Sequence, residues 1–152
     1  MLLRPVQSGD LPIFYHDQLD PEASRLAAFA SRQNKAFDEH WQKILGDPTV
    51  NLRTIVYNGE VAGYVVAFDR KGEREVGYWL GKQFWGKGIA TRGLRKFLHL
   101  EQGRPLCAQV AAHNLGSIRV LEKSGFQLIR EESEFARQNQ VSIPGLVMQL
   151  KR

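Results

Sequence analysis

The pair Asn58-Gly59 stands between two runs rich in β-branched and aromatic residues, Thr54-Ile55-Val56-Tyr57 and Val61-Ala62-Gly63-Tyr64-Val65-Val66-Ala67-Phe68. A two-residue hairpin loop that matches the right-handed twist of its strands needs positive φ at both central positions, which Asn and Gly tolerate best. The two runs are therefore predicted to be antiparallel strands. Asp69-Arg70-Lys71-Gly72 turns the chain again into a third strand, about Glu73 to Leu80, completing a meander.

Beyond the meander the pattern changes from strand to helix. Trp85-Gly86-Lys87-Gly88-Ile89-Ala90 leads into a helix with Leu94, Phe97 and Leu98 on one face, closed by Gly103-Arg104-Pro105 and succeeded by a strand from Leu106 to Val110. Strand, helix, strand in that order is a crossover, which sets the two strands parallel and makes the sheet mixed. Asn114 then fits an N-cap for a short helix, about Leu115 to Ser124, stopped by Gly125 in the left-handed position, with Phe126 packing back on Leu121. Strands near Phe126 to Glu132 and Leu146 to Leu150 are predicted to form a last hairpin, with a loop around Gln138-Asn139-Gln140.

Upstream, Leu2 to Val6 reads as a short strand, and Ser8-Gly9-Asp10 as a turn and cap for a helix from about Leu11 to Leu19. Asp20-Pro21 repeats the start signal, with proline where its missing N–H costs nothing. Phe37, Trp41, Ile44 and Leu45 then form one apolar helical stripe, which Gly46-Asp47-Pro48 ends.

A length of 152 residues, with 43% hydrophobic and 24% charged, fits a single domain spanning 1–152. No apolar run reaches the roughly 20 residues that cross a bilayer, and the first residues lack a signal-peptide layout, so a cytoplasmic protein without a membrane partner is expected. Cys107 is the sole cysteine and lies in an apolar segment, which favours a buried structural thiol over a nucleophile. His16, His40, His99 and His113 show no metal-ligand spacing, and no metal is assigned. The net charge of +5 attracts a polyanion at a distance, but the basic residues are scattered and do not form an aromatic-basic motif. A nucleic-acid partner is thereby disfavoured.

Chemistry concentrates in two segments. In Gly86-Lys87-Gly88-Ile89-Ala90-Thr91 the small residues let backbone N–H groups of the turn, and the free amides of the first helical turn, converge on a phosphate. Tight packing alone would also explain the glycines. The longer phosphate loop ending in Lys-Ser/Thr is absent, which argues against nucleoside triphosphate hydrolysis. The second segment runs from Asn114 to Phe126.

Gly77-Tyr78-Trp79-Leu80, Phe84-Trp85-Gly86-Lys87-Gly88-Ile89-Ala90-Thr91 and Asn114-Leu115-Gly116-Ser117-Ile118-Arg119-Val120-Leu121-Glu122-Lys123-Ser124-Gly125-Phe126 together resemble the GNAT superfamily of N-acetyltransferases. More narrowly they are similar to the branch of the ribosomal-protein N-terminal acetyltransferases. The likeness is strong from about Thr54 to Arg130 and weaker elsewhere. It implies an α+β fold: a mostly antiparallel mixed sheet of about seven strands, two of them parallel and splayed, flanked by about four helices.

The resemblance also implies an acetyl-CoA cofactor. Backbone amides of Gly86, Lys87, Gly88, Ile89, Ala90 and Thr91 would hold the pyrophosphate, the main chain of Trp79 and Leu80 would pair with pantetheine, and Asn114 would bond it too, unless it is only a cap. The cofactor would occupy the cleft between the splayed strands Glu73 to Leu80 and Leu106 to Val110. Trp85 stands where the family pattern has Arg or Gln; the alternative register, through Gln83, displaces the turn from the helix. The partner implied is an amine acceptor, a protein N-terminus or a small molecule, acted on by a monomer or homodimer.

Transfer needs a neutral amine and a proton for the departing thiolate. Many relatives use a tyrosine as the acid, but Leu121 occupies that position here. Ser117 matches the serine of an Asn-x-x-Ser pattern and could serve the thiolate, or be structural only. Glu75, on one strand face with Gly77 and Trp79, could accept the amine proton, or be a solvated carboxylate; Glu73 is a second candidate on that face. At pH 7, deprotonating a lysine costs about 4.6 kcal/mol against about 1.1 kcal/mol for an α-amine. The missing tyrosine thus tilts the reading toward a low-pKa amine. A non-catalytic acyl-CoA-binding module is the alternative that Leu121 also suggests.

Overall fold

The computed structural model describes residues 1–28, 32–135 and 143–152. The expected loop around Gln138-Asn139-Gln140 lies outside them. Seven strands, in the order β1-β2-β3-β4-β5-β7-β6, make one mixed sheet. They are β1 (Leu2–Arg4), β2 (Asn51–Tyr57), β3 (Glu60–Arg70), β4 (Glu73–Leu80), β5 (Leu106–Ala111), β6 (Gln127–Phe135) and β7 (Ile143–Leu150). The helices are α1 (Leu11–Gln18), α2 (Pro21–Ala27), α3 (Asn34–Leu45), α4 (Ile89–Leu100) and α5 (Leu115–Lys123).

The meander is the one its turns dictate. Asn58 and Gly59 have φ of 51° and 79°, and β2–β3 and β3–β4 are antiparallel. β4 and β5 are parallel but pair only at Arg74 with Leu106 and Glu75 with Cys107. Past Glu75 the two strands part, leaving one edge of β4 open as far as Leu80. The closed end is fastened by Glu101, just beyond α4, whose carboxylate accepts from Arg74 at 2.8 Å and from the Gly103 N–H at 2.9 Å. Burial opposes its ionisation, yet Arg74, Gly103 and Asn51 together hold Glu101 below the usual carboxylate value.

Alternation along β4 assigns its faces. Val76, Tyr78 and Leu80 join the larger core, with Phe97 and Leu94 of α4 and Leu121 of α5. Glu73, Glu75, Gly77 and Trp79 take the other side of the sheet. On that side Phe14, Phe37, Trp41 and Tyr64 pack with ring centroids 4.9–5.8 Å apart. Phe37 and Trp41 are buried as the stripe required, whereas Leu45 is 43% exposed because α3 ends there. β1 stops at Arg4, short of the expected Val6, since Pro5 has no N–H to extend the ladder.

Candidate active site

Where β4 and β5 part, a cleft of about 620 Å³ opens and continues to the start of α4. Tyr78, Trp79 and Leu80 line it from β4, Gly86, Gly88 and Ile89 to Thr91 from the turn into α4, and Asn114 to Ser117 from the start of α5. Ala23, Leu26 and Ala27 of α2 close one side. α2 is tied there by His113, whose Nε2 lies 2.8 Å from the Arg25 carbonyl.

The glycine turn is built for something small to approach. Gly86 and Gly88 have φ of 76° and 74°, in the left-handed region, and a Cβ at either would meet nothing within 4 Å. The first helical bond of α4 runs from the Arg92 N–H to the Gly88 carbonyl, so the amides of Ile89, Ala90 and Thr91 precede the ladder. Ile89 is 1% exposed and anchors the turn in the core, while Ala90 and Thr91 border the cleft with it. Lys87 sits exposed on the rim of the turn. Trp85, at the family's Arg/Gln position, donates its indole N–H to the Leu80 carbonyl at 2.9 Å, clamping the turn to the end of β4.

Asn114 caps α5, its Oδ1 accepting from the Ser117 N–H at 3.3 Å. Ser117 Oγ is 2.5 Å from the Tyr78 hydroxyl. One turn further, Leu121 is 1% exposed within the core and offers no acid to the cleft.

Glu75 is on the opposite face, 6% exposed, with Arg70 Nε at 3.2 Å. It lines a smaller polar hollow with Arg70, Lys71, Glu73, Gln109, Arg130 and Glu132. Glu73 pairs there with Arg130 at 3.3 Å. Ser117 and Glu75 are thus not in one pocket but on the two faces of the splay. Cys107, at the apex, is buried; burial pushes its thiol up, and Sγ lies 3.4 Å from Glu73 Oε2, the opposite of an activating environment.

Three features of the cleft were not visible from sequence. Arg119 and Lys123 line it from α5, spaced i, i+4 on one helical face, a pattern present in the chain but without a signal for what it faces. The α2 wall depends on tertiary contact alone. Tyr78 reaches Ser117 across 39 positions of sequence, which no local pattern encodes. Among the described residues no group of three or more His, Cys, Asp or Glu could hold a metal ion, and no helix is long and apolar enough to cross a membrane.

The Acetyltransferase (GNAT) domain family model matches residues 1–127. The fold is similar to that of the spermidine N-acetyltransferase from Vibrio cholerae in complex with CoA and spermine, at 16% identity and a TM-score of 0.84, covering 99% of this chain and 94% of that one. It is similar to RimL, the ribosomal L7/L12 alpha-N-protein acetyltransferase in complex with coenzyme A, at 17% identity and a TM-score of 0.82, covering 98% and 92%. The aminoglycoside acetyltransferase AAC(6')-Ib in complex with coenzyme A shows 20% identity and a TM-score of 0.79, covering 99% and 94%. No curated protein matches the chain by sequence.

Proposed function

The chain belongs to the GNAT acetyltransferase family, and from that premise we propose that it moves the acetyl group of acetyl-CoA onto an α-amine by direct attack in a ternary complex. One observation carries the reading: the parting of β4 from β5 runs without interruption into a turn with two left-handed glycines and open space above them. A thioester arm fits beside the free edge of β4, on the main chain of Trp79 and Leu80 and near Asn114. Its diphosphate fits the amides from Gly86 to Thr91, where the helix dipole favours negative charge. Lys87 on the rim, with Arg119 and Lys123 from α5, adds cations around that end. Bound there, acetyl-CoA supplies an activated carbonyl; the chain's own groups do the rest.

The two faces of the splay divide the proton work. Glu75 accepts the amine proton, directly or through water, on the side of α1 and α3. Ser117 serves the leaving sulfur on the side of α5. Attack and departure at one carbonyl are thereby handled from different directions. Cys107, with its raised pKa, has no covalent role.

The structural relatives' acceptors range over a polyamine, a ribosomal protein and an aminoglycoside, with closely similar TM-scores, so the acceptor class has to come from the site. Leu121 supplies no acid, and Glu75 already shares a charge with Arg70. Such machinery suits an amine that is about a quarter as costly to deprotonate as lysine. This favours a protein or peptide N-terminus, as in the ribosomal-protein branch.

Thiol release across an amine panel tests the proposal. A peptide with a free N-terminus is expected to give at least tenfold higher kcat/KM than the same peptide N-acetylated with one lysine. Faster turnover of spermidine or an aminoglycoside overturns the acceptor class. No heat of binding with saturating acetyl-CoA overturns the whole reading.

A further inference from the structure

We propose that Tyr78 is the proton reservoir behind Ser117, so that the acid missing from α5 is supplied from β4. The inference rests on the reading that the thioester sulfur lies against the first turn of α5. Tyr78 projects from β4 onto the face shared with α4 and α5, and both it and Ser117 line the cleft. The two hydroxyl oxygens are 2.5 Å apart, at the short end for O–H···O bonds, and the Ser117 carbonyl is 3.4 Å from the same phenol. Ser117 is itself fixed by the Asn114 cap.

The chemistry requires a group of this kind. A serine hydroxyl can donate a hydrogen bond, but it has no pKa in the working range and cannot surrender a proton to a thiolate outright. A phenol, at about 10, is close to an alkyl thiol at about 8.5, so transfer between them is nearly balanced. Of the other groups near Ser117, His113 is engaged with the Arg25 carbonyl, and Leu121, one turn further along α5, is apolar and buried in the core.

The steps balance. As the amine nitrogen bonds to the carbonyl carbon and the C–S bond breaks, the electron pair of that bond goes to sulfur. Ser117 Oγ–H passes its proton to sulfur while Tyr78 Oη–H passes its own to Ser117 Oγ. The proton lost by the amine nitrogen goes to Glu75, directly or through water, and from there to solvent, while solvent returns one to the phenolate. Tyr78 acts through Ser117 and is a positioning residue in that sense; Ser117 is the group that touches sulfur.

Tyr78→Phe keeps the ring in its packing and deletes only the hydroxyl. It is expected to lower kcat roughly a hundredfold, leave the KM for acetyl-CoA within about threefold, and remove the fall of kcat at alkaline pH. Difluorotyrosine at position 78, with a more acidic phenol, should restore turnover and shift that alkaline limb to lower pH. Ser117→Ala should cost a similar factor, and the double variant no more than the worse single one, since the two act in series. Additive losses, or a wild-type pH profile in Tyr78→Phe, overturn the relay. If Ser117→Ala runs at the wild-type rate, the sulfur does not sit where the underlying reading puts it. Loss of acetyl-CoA binding heat in the wild type refutes that reading independently of Tyr78.

Discussion

Gly63 shows how one missing side chain holds the cleft in shape. It pairs with Leu80, and a Cβ there would lie 2.0 Å from the Trp79 carbonyl oxygen and 3.0 Å from the Leu80 Cα. Both obstacles are backbone, so no rotamer change relieves them. The β2–β3 register shifts between Ile55 and Val56, passing over Ala62, and the Ala62 carbonyl accepts from the Gly81 N–H at 2.9 Å. This bulge lets β3 follow β4 to its end, where the strand must leave β5. Gly63→Ala is therefore expected to cost about 2–3 kcal/mol of stability, a drop of roughly 5–10 °C in Tm, and to weaken acetyl-CoA binding by moving Trp79 and Leu80. Thermal unfolding and calorimetry on the same sample check it; an unchanged Tm shows that the strands relax freely.

The turn from β4 into α4 separates two costs that glycine substitutions usually mix. At Gly86 and Gly88 an added methyl group meets no protein atom within 4 Å, so its only internal cost is positive φ, about 1–2 kcal/mol. Gly88→Ala is thus expected to leave a folded protein with Tm lowered by a few degrees, while acetyl-CoA affinity falls at least tenfold because the methyl occupies the space of the diphosphate. Titration calorimetry on the folded variant reads the second effect alone, and undiminished affinity would place the anion elsewhere. The turn itself was legible in the sequence because closely spaced glycines before an apolar helical stripe mark a strand-to-helix turn, as was the hairpin at Asn58-Gly59, where both residues take positive φ. Less legible were elements whose bounds depend on partners. β6 runs to Phe135, past the expected Glu132, because β7 starts at Ile143 and pairs with it there. The added stretch Ser133-Glu134-Phe135 is too short and polar to show an alternation that would announce this pairing. Arg119, Lys123 and Tyr78 belong to the cleft only because the crossover brings α5 beside β4.

Across the molecule, α1 and α3, packed on one side of the sheet, carry opposed titrating groups whose effects on stability nearly cancel. Asp17, at the end of α1, is raised to about 6 by burial despite the nearby His16, and its Oδ2 has no hydrogen-bond partner among the described residues. His40, on α3, is lowered to about 4 by burial, with Arg32 and Lys43 adding to it. Between the ordinary carboxyl value of 3.8 and about 6, the unfolded chain has released the Asp17 proton while the folded one keeps it. Stability therefore falls as pH rises through that window. Between about 4 and the ordinary histidine value of 6.5 the unfolded chain binds the His40 proton and the folded one does not, so stability rises with pH. The wild type is expected to be nearly flat from about pH 4 to 6.5 in these two contributions. Asp17→Asn exposes the histidine alone, giving stability that climbs with pH by on the order of 1–2 kcal/mol across the window. His40→Gln exposes the carboxyl alone, with a fall of similar size. Asp10 and Glu101, both held below their ordinary values of 3.8 and 4.5, add a rise of stability with pH that is confined to the acid edge of the window and is common to all three proteins, so it cancels in the comparison. Urea unfolding at intervals from pH 4 to 7 measures all three profiles, and parallel curves for wild type and Asp17→Asn would show that Asp17 ionises in the fold as it does in water.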